Sequence, residues 1–370
     1  MQHYKVFLIN PGSTSTKLAY YNGDEVTASE NVFHDSAILK TFDTINDQLP
    51  YRYQVIREFI RDNHLDLTGL DAIVGRGGSS YSVASGIYEI NDQMIEDTML
   101  EKGGLNHVSN LGVQLAREMQ KEYGGRILTL NPTVVDELSD LARITGIRGI
   151  YRHAISHALS IKETAKRHAK KLGRPYEELN LIICHIDGGI SITAHQNGRM
   201  IDGNNAGGGE GPFTPTRMGS MAVTDVLEHL SSVPKQDLLM LCTESGGFSS
   251  HFGTSNSDQI HAKIEAGDEY AKLIWDAMVY QICKYIGAMS VVLEGKVDGI
   301  LLTGGLLRFP EIEADIRRRC GFIAPVTVYP GEFELETMHA AAVSVLSGEV
   351  EPKTYTGVPV FTGFDFAPET

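Results

Sequence analysis

The chain contains the same short pattern twice, half a protein apart. In each copy an apolar segment runs into a polar, glycine-containing corner and then continues as a second apolar-rich segment that ends at an Asn-Gly pair. The two pairs are Asn22-Gly23 and Asn197-Gly198. An Asn-Gly pair between such segments predicts a tight turn, because both central residues of the turn must take positive φ. The sequence therefore predicts two β-hairpins, one in each half of the chain.

Each hairpin begins at a corner that can bind phosphate. The first corner spans residues 10–17 (Asn-Pro-Gly-Ser-Thr-Ser-Thr-Lys), and the second is Asp187-Gly188-Gly189. Backbone N–H groups and hydroxyls at such corners can surround a phosphate. The first corner is not a P-loop, because it lacks the G-x-x-x-x-G-K-[ST] spacing and leads into a strand. Two phosphate corners predict two domains that face each other across a nucleotide.

Composition limits the class of protein. A chain of 370 residues with 42% hydrophobic residues has enough material for two domains. The net charge of −15 argues against nucleic acid or an anionic membrane as partner. Four cysteines without C-x-x-C spacing predict free thiols in a reducing compartment. The His and Cys residues lack the paired spacing of zinc ligands, so no zinc site is expected. We expect a cytoplasmic protein without a signal peptide or a transmembrane segment.

Strand-like segments alternate with helical patterns along the chain, which predicts an α/β fold. No Pro- or Ser-rich linker separates the halves, and the boundary is expected near residues 146–149. The last long helix is expected to pack back onto the first domain. The predicted domains are therefore residues 1–148 with 336–370, and residues 149–335.

Polar residues follow several predicted strands. Arg76 is flanked by glycines, so its guanidinium can meet a carboxylate or phosphate bidentately. Asp136 lies just past another strand end, and Arg217 ends a long irregular loop. A buried strand at residues 300–303 runs into Gly304 and Gly305, a surface on which an adenine ring can rest. Singly, such residues are more often structural, but strand ends of α/β domains are where ligands bind.

Six ordered motifs resemble the acetate and butyrate kinase family, in the superfamily of sugar kinases, actin and heat-shock ATPases. They lie at residues 10–17, 74–78, 109–112, 134–137, 139–143 and 209–213. The resemblance covers residues 4 to 345. It implies two ribonuclease-H-like, actin-like ATPase domains with the active site in the cleft between them. It also implies ATP/ADP and Mg²⁺ as cofactors, a first domain for acyl and phosphate groups, and a second for nucleotide.

The resemblance assigns roles to particular residues. The catalytic residues that it implies are Arg76, Asp136, His185, Arg217 and the histidines His153 or His157, with Asp136 orienting the magnesium or an arginine. Those at the acyl end are Asn10, Arg76, Gly77, Gly78 and His107. Those that bind nucleotide are Gly12, Ser13, Thr14, Ser15, Lys17, His185, Asp187, Gly188, Gly189, Thr303, Gly304 and Gly305. The magnesium ligands are Asn10 and either Glu332 or Glu334.

The implied reaction transfers phosphate from ATP directly to the carboxylate of a short-chain fatty acid. Acetate kinases resemble one another in having bulky valines after the first arginine, where this chain has Gly77 and Gly78. Two missing side chains predict a larger acyl pocket, hence butyrate, and predict that Gly78→Val impairs butyrate more than acetate. A propionate or isobutyrate kinase is the alternative, and a homodimer or larger homo-oligomer is expected. Asp187 stands where a neutral residue is usual, which leaves open a nucleotide-binding regulator without activity.

Overall fold

The computed structural model describes residues 3–78, 80–104, 107–331 and 333–364. The chain forms two compact units, Met1–Val135 with Phe333–Thr362, and Asp136–Glu332 with Gly363–Thr370. These boundaries differ from the predicted ones at residues 148 and 335. The segment after Val135 belongs to the second unit because the Ser139 N–H donates to the Ile201 carbonyl there, at 2.8 Å.

The regular elements of the described residues are as follows. The strands are β1 (Lys5–Pro11), β2 (Ser15–Asn22), β3 (Glu25–Phe33), β4 (Ala72–Gly75), β5 (Ile87–Glu89), β6 (Arg126–Leu130), β7 (Leu181–Ile186), β8 (Ile190–Gln196), β9 (Arg199–Gly203), β10 (Gly299–Thr303), β11 (Val326–Tyr329) and β12 (Lys353–Thr354). The α-helices are α1 (Ser36–Leu39), α2 (Leu49–Asp62), α3 (Asp92–Met99), α4 (Asn110–Tyr123), α5 (Asp140–Arg143), α6 (Ala158–Leu172), α7 (Val223–Leu230), α8 (Lys235–Thr243), α9 (Phe248–Phe252), α10 (Ser257–Glu265), α11 (Glu269–Val292), α12 (Pro310–Cys320) and α13 (Glu334–Leu346).

The first unit is built on a seven-stranded sheet of order β12-β5-β6-β4-β1-β2-β3. Strands β1, β4 and β6 are parallel neighbours, whereas β1, β2 and β3 form an antiparallel meander. Helices α4 and α13 both pack on β1, β4 and β6. Because parallel strands end at the same edge, the residues that follow β1 and β4 lie side by side.

The second unit repeats this plan in a five-stranded sheet of order β11-β10-β7-β8-β9. Strand β7 is buried along its whole length, as expected for a strand that is covered on both faces. Ile182, Cys184 and Ile186 of β7 pack in one core with residues of α11, and α6 contacts β7 and β10. Strands β7, β10 and β11 are parallel, so their carboxyl ends form one edge.

Both predicted hairpins are present, but the two turns differ. In the second hairpin Asn197 (φ +52°) and Gly198 (φ +71°) are the central residues, as predicted. In the first, Asn22 pairs with Glu25, so the turn consists of Gly23 and Asp24. A register shift between residues 20 and 21 displaces the pairing, and Gly23 (φ +65°) then takes the first central position.

Two further predictions concerned membrane-spanning segments and the state of the cysteines. No helix among the described residues is long and apolar enough to cross a membrane. All four cysteines are free thiols, and three of them are buried: Cys184, Cys283 and Cys320.

Candidate active site

Three predicted site residues meet at the edge of the first sheet. Asn10 lies near the end of β1, Arg76 follows β4, and Glu334 begins α13. The Asn10 amide donates to Glu334 Oε2 at 2.6 Å, and Arg76 Nη2 lies 2.9 Å from Glu334 Oε1. Arg76 Nη1 donates to Asn10 Oδ1 at 3.3 Å. The parallel pairing of β1 with β4 and the packing of α13 on both bring these side chains together.

This cluster holds Arg76 while leaving part of it available. Asn10 is 3% exposed and the Glu334 side chain 8%, whereas the Arg76 side chain is 16% exposed. A guanidinium has five N–H donors, and two of its nitrogens make the bonds above. Its other N–H groups have no acceptor among the described residues. A ligand carboxylate or phosphate can therefore bind a guanidinium that is already oriented.

The same cluster fits a magnesium ion chemically. Asn10 Oδ1 and the Glu334 carboxylate are hard oxygen donors, and Mg²⁺ binds through one or two carboxylates together with waters and substrate phosphates. Both Glu334 oxygens are hydrogen-bonded, so metal binding there would compete with Arg76 and the Asn10 amide. Glu332, the other predicted ligand, lies outside the described residues.

A side chain at Gly77 or Gly78 would run into Ser109 or Val113, so the missing side chains do not enlarge an acyl pocket, contrary to the prediction. Both have φ of +90°. A Cβ on Gly77 would lie 2.5 Å from Ser109 Cβ, and one on Gly78 would overlap the buried side chain of Val113 in α4. These glycines therefore serve the positive φ and the close approach of α4.

Substitution of Gly78 is accordingly expected to act on stability. We expect Gly78→Ala to lower the free energy of unfolding by about 2–5 kcal/mol, through overlap with Val113 and backbone strain. Gly69→Ala is the control, since Gly69 has φ +71° and nothing within 4 Å of a Cβ, and should cost about 1–2 kcal/mol. Gly78→Val should then impair acetate and butyrate alike. Denaturant unfolding and kcat/KM for both acids test this; a selective loss of butyrate activity in a stable variant would contradict it.

His107 precedes α4 in the first unit. The backbone N–H of Ser109 donates to His107 Nδ1 at 3.1 Å, and the Ser109 hydroxyl lies 2.8 Å from the same nitrogen. Because Nδ1 accepts these bonds, a neutral His107 carries its proton on Nε2.

The first phosphate corner is a tight turn on the surface. The Gly12 N–H donates to the Ser15 carbonyl at 2.8 Å, and Ser13 and Thr14 are exposed between them. Lys17 pairs with Asn10 across the hairpin. The sheet edge that carries Asn10 thus also carries the predicted phosphate residues.

In the second unit, β7 and β10 bring two glycine corners together. His185 pairs with Thr303 in register, and Asp187–Gly189 and Gly304–Gly305 follow these strands. A Cβ on Gly304 (φ +108°) would overlap the Ile186 backbone, so only glycine fits there. The predicted nucleotide residues of this unit therefore form one edge.

The Asp187 carboxylate is hydrogen-bonded to both corners. Its Oδ1 accepts from the Gly188 N–H at 2.8 Å, and its Oδ2 accepts from the Gly305 N–H at 3.2 Å. The carboxylate is thus turned toward backbone donors, which compensate its charge. A carboxylate paired in this way is compatible with a phosphate corner.

Removal of the Asp187 carboxylate is expected to destabilise the second unit. Because hydrogen bonds to charged groups contribute about 1.5–3 kcal/mol, Asp187→Ala should lower the free energy of unfolding by a similar amount. Glu228→Ala, which removes an exposed carboxylate from α7, should change it by less than about 0.5 kcal/mol. Unfolding in urea measures both. An Asp187→Ala protein as stable as the parent would show that the carboxylate does not hold the corners.

Of the two candidate histidines, His157 is the one beside His185. The rings of His157 and His185 stack with centroids 4.1 Å apart, and His157 Nδ1 lies 2.8 Å from the Ser191 hydroxyl on β8. His153 is exposed, and its backbone carbonyl accepts a bond from Asn205. The geometry therefore favours His157. Ser191 was not among the predicted residues, although its pairing with His185 in the hairpin follows from the register.

Arg217 lies against the second phosphate corner. The hydroxyls of Thr214 and Thr216 both donate to the Gly188 carbonyl, at 2.7 and 3.0 Å, which fixes the preceding loop. Arg217 Nη1 donates to the Ala206 carbonyl at 2.6 Å, and a Cβ on Gly189 would lie 2.6 Å from Nη1.

The charge of Arg217 has no protein counter-ion among the described residues. Burial lowers the pKa of Arg217 below its ordinary value. An arginine that is partly buried, fixed by a carbonyl and unpaired with a carboxylate is suited to bind an anion.

Asp136 orients an arginine in the second unit. Its carboxylate makes two bonds of 2.7 Å with Arg143 and accepts from the Leu138 N–H at 3.2 Å. Of the two predicted roles, orienting magnesium or an arginine, the geometry favours the second. Arg143 ends the motif at residues 139–143, but no role was predicted for it.

Comparison with known proteins shows what the chain is similar to. A family model described as the acetokinase family matches residues 139–321. The chain is 42% identical over 354 residues to a probable butyrate kinase from Listeria monocytogenes, covering 95% of this chain and 99% of that protein. A probable butyrate kinase from Clostridium botulinum is 41% identical over the same shares.

Solved structures match the fold. The acetate kinase of Porphyromonas gingivalis has a TM-score of 0.74 at 19% identity, covering 93% of this chain and 100% of that one. A propionate kinase from Francisella tularensis has a TM-score of 0.74 at 16% identity, covering 92% and 98%. These likenesses confirm the predicted two-domain α/β fold.

Proposed function

The chain belongs to the acetokinase family, as its motifs predict, and on that premise we propose that it transfers the γ-phosphoryl group of ATP to butyrate. The products are butyryl phosphate and ADP, and the reaction is reversible. The observation that carries the proposal is the oriented Arg76 at the end of β4, in a chain 42% identical to probable butyrate kinases.

The substrate carboxylate needs no general base, because it is ionised at neutral pH. It needs positioning and relief of repulsion from the phosphate anions. We assign the carboxylate end to Arg76, oriented by Asn10 and Glu334, and the transferring phosphoryl group to Arg217 and His185. Transfer is direct and in line, since these side chains supply electrostatic stabilisation and no residue is required as a covalent carrier.

The nucleotide is assigned to the glycine corners, residues 12–17 in the first unit and residues 187–189 and 303–305 in the second. Mg²⁺ would be held by Asn10 and Glu334 together with the ATP phosphates, and when bound it offsets their negative charge. The action of the protein in the cytoplasm and its assembly as a homodimer or larger homo-oligomer stay predictions.

The test is acyl phosphate formation, trapped as hydroxamate, with MgATP and linear and branched acids of two to five carbons. Butyrate should give the highest kcat/KM, and a higher value with propionate or isobutyrate would reassign the substrate within the family. Nucleotide binding without acyl phosphate from any acid would refute the enzyme and favour the regulator.

A further inference from the structure

Arg52 of α2 is completely buried beneath the first phosphate corner. Its Nη1 donates to the Thr16 hydroxyl at 3.0 Å and to the Ser15 carbonyl at 3.4 Å, and its Nη2 donates to the Ser13 carbonyl at 3.5 Å. Its Nε donates to Gln48 Oε1 at 3.0 Å. The guanidinium therefore contacts the inner, buried side of the corner, opposite to the side that faces solvent.

No carboxylate pairs with this guanidinium in the described part of the chain. Burial lowers the pKa of Arg52 to about 10, so the side chain is charged at neutral pH. A buried charge without a counter-ion is costly for a folded protein. The cost falls when an anion binds nearby.

The corner is oriented so that an anion can bind on its outer side. The Ser13 and Ser15 carbonyls accept from Arg52, and the Thr14 carbonyl accepts from the His34 N–H at 2.9 Å. With three carbonyls turned inward, the N–H groups of Ser13 and Thr14 have no acceptor within the described residues, and both residues are exposed. Successive free N–H groups of this kind form an anion-binding concavity.

Arg52, and not His34, is the cation of this cluster. His34 Nε2 lies 2.8 Å from the Thr16 hydroxyl and 3.2 Å from Arg52 Nη1, and Nδ1 lies 3.2 Å from the Tyr51 hydroxyl. Burial and the charge of Arg52 lower the pKa of His34 to about 4. The imidazole is thus neutral at pH 7 and accepts from Arg52.

We propose that Arg52 is a positioning residue for phosphate binding: it holds the carbonyls of Ser13 and Ser15 inward, so that the N–H groups of the corner face the phosphates, and its charge attracts them. This inference rests on the proposed function. It predicts that loss of Arg52 weakens MgATP binding and leaves butyrate binding unchanged.

The test compares Arg52→Gln and Arg52→Lys with Arg61→Gln, which removes an exposed arginine from the same helix. Arg52→Gln should raise KM for MgATP about tenfold or more while KM for butyrate stays within about twofold. Arg52→Lys keeps the charge but not the fork of donors, and should raise KM for MgATP about threefold. Arg61→Gln should change neither constant.

Thermal unfolding shows which variants are folded. If Arg52→Gln does not fold, Arg52→Lys decides: a raised KM for MgATP supports the role, and an unchanged one overturns it. If neither Arg52→Gln nor Arg52→Lys folds, Arg52 is assigned to stability alone, and its role in phosphate binding is overturned as well. A parent protein without kinase activity would refute the proposed function, whereas an active parent with unchanged Arg52 variants would refute this inference alone.

Discussion

Replacement of Arg217 by glutamine is expected to lower kcat by about 10³-fold or more, the range for an arginine that stabilises a transferring phosphoryl group. Arg217 has no carboxylate partner within the described residues, and the Ala206 carbonyl and Gly189 fix its position. Its charge is therefore directed at a ligand. Because glutamine keeps a hydrogen-bond donor but no charge, the loss reports the charge.

Two further variants separate charge from geometry. Arg217→Lys should recover little of kcat, because an ammonium cannot bond the Ala206 carbonyl and a phosphate with the same fork of donors. Arg199→Gln, at an exposed arginine of the same unit, should keep kcat within about twofold. A kcat within tenfold of the parent in a folded Arg217→Gln protein would refute the assignment.

Removal of Arg76 is expected to cost both stability and activity. Arg76→Met leaves the Glu334 carboxylate buried without its cation, which should lower the free energy of unfolding by about 3 kcal/mol or more. For a unit of this size that corresponds to about 6–12 °C in the thermal midpoint. Activity should fall by about 10³-fold, because the proposed carboxylate contact is lost as well.

The double variant Arg76→Met/Glu334→Gln separates the two effects. With both charges removed, most of the stability should return, since a buried pair contributes little relative to neutral residues of similar volume. Activity should stay low, because the proposed carboxylate contact of Arg76 and the proposed magnesium ligand Glu334 are both lost. Arg126→Met breaks a half-exposed pair with Glu89 in the same unit and should cost less than about 1 kcal/mol. A stable double variant with parental kcat would show that Arg76 serves the fold alone.

The strand ends were the most predictable part of the site. Asn10 lies near the end of β1 and Arg76 follows its parallel neighbour β4. His185 lies near the end of β7 and Thr303 ends β10, so alternation of strands and helices was enough to place each pair together. The resemblance added Glu334, which no local pattern connects with a strand 324 residues away.

Arg52 has a signal in the sequence, although it was not among the predicted site residues. Buried residues of α2 recur at Arg52, Val55, Ile56, Phe59 and Ile60, the spacing of one helical face. An arginine at the start of an apolar face indicates a buried charge that needs polar partners. What the sequence cannot supply is their identity, because the Ser13 and Ser15 carbonyls come from a distant turn.

The two wrong predictions, the pocket floor and the first turn, have local physical causes. Spacing does not give the direction of a missing side chain, so Gly77 and Gly78 were interpreted as pocket floor although their Cβ positions face α4. The turn at Gly23-Asp24 depends on a register shift, which composition does not show.

Direct transfer to the carboxylate is tested by following the phosphoryl group itself. The protein is incubated with butyrate and MgATP radiolabelled in the γ-phosphate, and acyl phosphate, ADP and protein are separated. We predict label in butyryl phosphate in equal amount to the ADP formed, with none on the protein. Label retained on the protein would contradict direct transfer, and nucleotide binding without labelled acyl phosphate would contradict a kinase that acts on a carboxylate.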